Sequence, residues 1–124
     1  MHFVAYVAVG GALGASARYL LSQWVHSLWQ HAWPVGTLLV NLLGSFAIGV
    51  VFVLIERQAL HPDWRGVLMV GFLGAFTTFS TFSLETIALL ESGRLAPALA
   101  YILASVLSCI LAAGFAVWLT RSLF

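Results

Sequence analysis

The stretch Gly71 to Ser83 reads GFLGAFTTFSTFS and lies inside an otherwise apolar run. Two glycines, Gly71 and Gly74, precede five hydroxyls, those of Thr77, Thr78, Ser80, Thr81 and Ser83, interleaved with Phe76, Phe79 and Phe82. Glycine lowers helix propensity, and short hydroxyl side chains compete for backbone hydrogen bonds, so a helix is expected to break between Gly74 and about Thr81. Within a bilayer, non-helical backbone is tolerated only where protein buries it or where it lines a polar cavity. This stretch is therefore read as the functional site.

Outward from it the chain is apolar. Of 124 residues, 62% are hydrophobic and 7% charged, which excludes an ordinary soluble globule. Four runs, Phe3–Leu21, Pro34–Ile55, Val67–Leu90 and Leu95–Leu119, are each long enough to cross a hydrocarbon core about 30 Å thick. The expected fold is an all-α membrane protein, residues 1–124 forming one transmembrane domain of four helices with the third broken near its middle. Little chain lies outside the spans, so no extramembrane domain is expected. The first run lacks a basic leader and continues through Arg18 into more apolar chain, so it reads as a span and not as a signal peptide.

Charge is sparse and evenly divided. Arg57, Arg65 and Arg121 fall on one side of a four-span protein, and Arg18 and Arg94 on the other. Since Lys/Arg asymmetry sets orientation, three against two gives the chain little instruction. Either it simply has few charges, or copies insert both ways. Dual insertion leads to an antiparallel homodimer with sites near the midplane. Nothing in the composition suggests a nucleic-acid partner; the expected environment is membrane lipid.

Polar groups inside the spans are the remaining candidates. Thr37, Asn41 and Ser45 recur every four residues and share one helical face. Asn41 would cost several kcal/mol if buried unpaired, so it serves either an interhelical hydrogen bond or, beside a broken helix, a permeating anion; the pore reading is preferred. Phe79 and Phe82, three apart, place their rings on neighbouring positions of a resumed helix, where positive ring edges suit a small anion. Arg18 either snorkels to headgroups or gives a positive vestibule. Glu85 is the only acid well inside a span, placed to pair with an arginine or to sit at a pore mouth. Gly10 and Gly14 form a GxxxG read as packing within one subunit. In the last span Ala100, Ala104, Ser108, Ala112 and Ala116 make a smooth ridge, and Tyr101 and Ser105 are candidate pore liners. Cys109 falls on the same slightly polar stripe as Tyr101 and Ser105, which could complete a pore wall, but it reads as a buried structural thiol. Trp24, Trp29 and Trp33 suit the interface belt, and His2, His26, His31 and His61 read as surface residues without ligand spacing.

Two motifs, GTLLVNLLGSFAIG from Gly36 to Gly49 and GFLGAFTTFSTFSLE from Gly71 to Glu85, resemble the Fluc (CrcB-like) fluoride ion channels of microbes and cover about a quarter of the chain. The resemblance implies a fluoride-selective channel in the bacterial inner membrane, exporting F⁻ by passive electrodiffusion. It implies a dual-topology homodimer with two antiparallel pores. Asn41 would face fluoride, Phe79 and Phe82 form a phenyl box, and Ser80 and Thr81 a polar track. Tyr101, Ser105 and Thr37 would line the path and Arg18 the vestibule. A structural Na⁺ at the dimer interface would be held by the Gly74 and Thr77 carbonyls. At Cys109 some relatives carry a serine, a better donor.

The rival reading is a small dual-topology, proton-coupled multidrug exporter. That activity needs a membrane-embedded acid, expected in the first span, where this chain has only Arg18 as a charged residue. An enzyme is remote, since no span holds a histidine and the lone thiol has no base. A purely structural membrane subunit would tolerate Asn41→Ala or Phe82→Ala without effect on ion flux.

Overall fold

A computed structural model describes residues 2–29 and 33–124; His31 lies outside them. The elements are α1 (His2–Leu28), α2 (Val35–Glu56), a π-helical segment (Arg65–Leu73), a short α3 (Gly74–Phe76), α4 (Phe79–Glu91) and α5 (Leu95–Leu123). Every regular element among the described residues is helical. Four stretches are long and apolar enough to cross a membrane, the third being Arg65–Glu91, which carries the π segment, α3 and α4 in series. At 1.5 Å per residue the 22 residues of α2 reach about 33 Å, enough to span the hydrocarbon layer.

The first helix does not stop at Leu21. Residues Ser22 to Leu28 contain no glycine or proline, so nothing ends the helix at the membrane surface, and it continues as an amphipathic extension. Val25 on that extension is buried, while Trp24 and Leu28 face outward. Trp33, expected in the interface belt, closes onto the first turn of the last helix. Its indole N–H donates to the Pro97 carbonyl at 3.2 Å, and its ring meets Tyr101 edge-on.

Small residues set where the helices touch. A Cβ at Gly10 would run into the Val67 carbonyl oxygen and one at Gly14 into that of Phe72, so the GxxxG face seats the π segment against α1 within one chain. The widened π turns bring those carbonyls to the glycines. Residue types alone gave no sign of them. On the other side α2 lies along α5, where a Cβ at Gly49 would meet the Ala113 carbonyl at 2.6 Å and Ala116 Cβ at 2.9 Å. The alanine ridge of α5 is therefore used only in part: Ala116 is buried, but Ala100 is exposed.

The ends are stitched locally. Arg121 grips Glu56 through Nε at 3.2 Å and Nη2 at 2.7 Å, joining the last turns of α5 and α2. Between α4 and α5 the chain reverses at Gly93, whose φ of 79° suits glycine. The Gly93 and Arg94 N–H groups return to the Leu90 and Leu89 carbonyls and close α4.

Candidate functional site

The break is narrower than the run from Gly74 to Thr81. Only Thr77 and Thr78 leave the helical conformation, with φ/ψ of −83°/157° and −149°/114°. Thr78 is the reason: its Oγ1 accepts from the Thr81 N–H at 3.3 Å and caps α4, so Phe79 to Thr81 are already helical. The same oxygen donates to Thr81 Oγ1 at 3.0 Å and lies 3.4 Å from Ser80 Oγ. Thr77 ends the preceding turn, both its N–H and its hydroxyl donating to the Leu73 carbonyl.

Asn41 spans the gap. Its Nδ2 donates to the Thr78 carbonyl at 3.0 Å and its Oδ1 accepts from the Thr78 N–H at 2.7 Å, so one amide pairs with both backbone groups of the extended residue. This replaces the helical partner that the Thr78 N–H lost, which in a membrane would otherwise cost several kcal/mol. An asparagine amide has two N–H donors, and one of them is left over for another partner. Gly44, one turn further along α2, leaves the notch that the Thr77 methyl enters. From α1, Arg18 Nε donates to the Ala75 carbonyl at 3.0 Å. The Gly74 and Thr77 carbonyls receive no hydrogen bond among the described residues.

Two cavities flank the break. One, of about 350 Å³, is a largely apolar groove lined by Asn41, Gly74, Thr77, Phe79, Phe82, Ser105 and Cys109, among others. Here the Phe79 and Phe82 rings lie 5.3 Å apart, Phe82 buried and Phe79 turned outward at 75% exposure. The Ser105 hydroxyl is buried with no partner among the described residues. Cys109 is a half-buried wall of the groove, which corrects its reading as a core thiol: it follows Ser105 by one helical turn and so shares its face.

The second cavity, of about 680 Å³, opens between the α1 extension and the start of α2. Arg18, His26, Thr37, Thr81, Glu85 and Arg94 line it. Glu85 pairs with no arginine among the described residues; its Oε1 instead accepts from the Tyr101 hydroxyl at 3.1 Å. Tyr101 is fully buried, 5.1 Å from the Phe82 ring, with Thr37 in hydrogen-bonding reach of its hydroxyl. It lines neither cavity and stands between them. Ser80 is exposed and also lines neither.

The structure thus divides the expected site residues. It gathers Asn41, Phe79, Phe82, Ser105, Gly74 and Thr77 about the groove, and Arg18, Thr37 and Thr81 about the mouth. Sequence reasoning missed Thr78, which lines the groove and reaches Thr81 at the mouth; a threonine preceding a helix start was the available signal. Among the described residues no three His, Cys, Asp or Glu side chains come together. A site for a hard cation here would rest on backbone oxygens.

Comparison with known proteins agrees with this layout. The family model described as "CrcB-like protein, Camphor Resistance (CrcB)" matches residues 5–117. A relative from Hahella chejuensis named "Fluoride-specific ion channel FluC" is 53% identical over 117 residues, covering 94% of this chain and 92% of the relative. Proteins of the same name from Magnetococcus marinus and Saccharophagus degradans are 53% and 52% identical, over 89% and 94% of this chain and 90% and 88% of their own lengths. With four membrane-capable helices, a family match over nearly its whole length and relatives above half identity, the chain belongs to the CrcB-like family.

Proposed function

We propose that this protein is a fluoride-selective channel through which F⁻ leaves the cell passively, and that it works as an antiparallel homodimer with two pores in the inner membrane. The observation that carries the reading is the break at Thr77–Thr78: an amide with a spare N–H, two phenyl rings and an unpaired buried hydroxyl share one groove beside it. Fluoride is small and strongly hydrated, so no single contact repays its dehydration and several weak donors must act together. Weak, multiple contacts also let the ion leave. Arginines at the mouth raise the local anion concentration before dehydration begins. The near-even division of arginines between the two faces supports dual insertion, and the second copy would wall the groove that one chain leaves open.

The donor-free Gly74 and Thr77 carbonyls suit a sodium ion at the dimer interface, since hard cations take neutral oxygen ligands. Bound there, the ion would tie broken helices of two copies together and make the local field positive. The exporter reading loses ground because α1 carries no acid, and Glu85 is engaged by Tyr101 in a cavity that also holds Arg18 and Arg94.

The test is efflux from reconstituted liposomes, read with a fluoride electrode and, in parallel, a chloride electrode. Rapid fluoride efflux with little chloride supports the channel. Proton-coupled uptake of a lipophilic cation without fluoride efflux would establish the exporter instead.

A further inference from the structure

Three aromatic rings run in series from the mouth cavity to the groove. Trp33 lines the mouth, Phe82 lines the groove, and Tyr101, which lines neither, stands between them. The Trp33 and Tyr101 ring centroids lie 5.8 Å apart at 70°, and those of Tyr101 and Phe82 5.1 Å apart at 48°. Edge-on and tilted pairs at such separations attract, so each ring limits the rotation of the next. Trp33 is itself anchored to two helices. Its indole N–H donates to the Pro97 carbonyl at 3.2 Å, one helical turn before Tyr101 on α5. Its own carbonyl accepts from the Val35 N–H at 2.9 Å, where Pro34 leads the chain into α2. The tryptophan thus ties the start of α2 to the start of α5 at the level of Tyr101.

Tyr101 is fully buried in a cluster with Phe82, Leu89 and Ala98, and the half-buried Trp33 packs on that cluster from the cavity side. The Tyr101 hydroxyl is meanwhile engaged by Glu85 at 3.1 Å. We infer that Trp33 is a positioning residue for ion selection: it wedges the Tyr101 ring between Phe82 and Glu85 and so keeps the partition between wet mouth and dry groove closed. The inference rests on the channel reading above. Without the indole, space opens on the mouth side of Tyr101, the ring can turn into it, and Phe82 loses its backing. A site whose supporting side chains let it loosen by about 1 Å loses much of its discrimination. A residue that only walls the mouth changes how much current flows, whereas one acting through Tyr101 changes which ion carries it.

The experiment records the full chain in planar bilayers under opposed fluoride and chloride gradients and takes the permeability ratio from the reversal potential. Trp33→Leu is expected to lower the fluoride-over-chloride ratio about tenfold or more, and Trp33→Phe, which keeps a ring but not the N–H, about threefold. Trp24→Leu, which removes an outward-facing indole from α1, leaves the ratio unchanged. Added to Tyr101→Leu, Trp33→Leu changes the ratio by less than about twofold, because no ring remains to be positioned. The natural ratio in Trp33→Leu overturns the inference, as does the natural ratio in Trp33→Phe where the leucine variant does not assemble. A full Trp33→Leu shift in the Tyr101→Leu background also overturns it. Absence of fluoride current in the natural chain is a different failure, which removes the channel reading and this inference together.

Discussion

The two cavities on either side of the broken helix handle charge in opposite ways. The mouth cavity carries two arginines, a histidine and a glutamate, whereas no charged side chain lines the groove, only amide, hydroxyl, thiol and phenyl groups. A full charge in a dry site binds a counter-ion too tightly to release it and is costly to bury. Charges therefore suit the wide, wet end, where they attract ions, and neutral dipoles suit the narrow end, where an ion must shed water and still move on. Tyr101, Phe82 and the Thr78–Thr81 hydroxyl contact form the partition.

The sharpest way to break this comparison is to remove the amide on the groove side. Asn41→Ala takes away both hydrogen bonds to Thr78 and the spare donor, a loss of about 3 kcal/mol that corresponds to a fall of roughly a hundredfold in fluoride efflux. If efflux survives unchanged, the groove is not the path. Next in size is a packing test at the seam between α1 and the π-helical segment. Gly14→Val drives a side chain into the Phe72 carbonyl and should destabilise the fold by about 1–3 kcal/mol or more, visible as a lowered melting temperature in detergent.

Thr78→Val keeps the shape but removes the cap, costing about 1 kcal/mol of α4 stability and slowing efflux several-fold, with Thr78→Ser restoring it. Recovery with serine separates loss of the hydroxyl from loss of β-branching. The smallest effect belongs to the mouth. Arg94→Gln should lower efflux by about twofold to threefold at low ionic strength and by nothing measurable at about 1 M salt, because screening removes steering between exposed charges. An Arg94→Gln effect that persists at high salt would mean that the mouth binds the ion tightly.

How much of this could be read from residues alone differs between the same two regions. The four helices were legible because long apolar runs leave no other solution in a bilayer. The existence of the break was legible from Gly74 and the hydroxyl run, but its width was not. Thr78 caps the next helix, and a cap is a local geometry that composition only hints at. The face of Asn41 was clear from its four-residue spacing with Thr37 and Ser45, yet its pairing with both backbone groups of Thr78 joins residues 37 apart in sequence. The mouth was hardest. The amphipathic pattern of Ser22 to Leu28 marked a surface segment but not the cavity it walls, and the bond between Tyr101 and Glu85 depends on packing between separate helices. The face of Cys109 was legible from its four-residue spacing with Tyr101 and Ser105, but its depth was not, because a thiol packs as readily in a core as at a groove wall.

The central claim is that the neutral groove, and not the charged mouth, chooses the ion. It is tested most directly by the reversal potential of reconstituted channels in a planar bilayer under opposed fluoride and chloride gradients, for the natural chain and for Arg94→Gln. The account predicts that both follow the fluoride equilibrium potential, with the variant passing less current at the same reversal. A reversal potential set by chloride, or one that moves when Arg94 is neutralised, would contradict it.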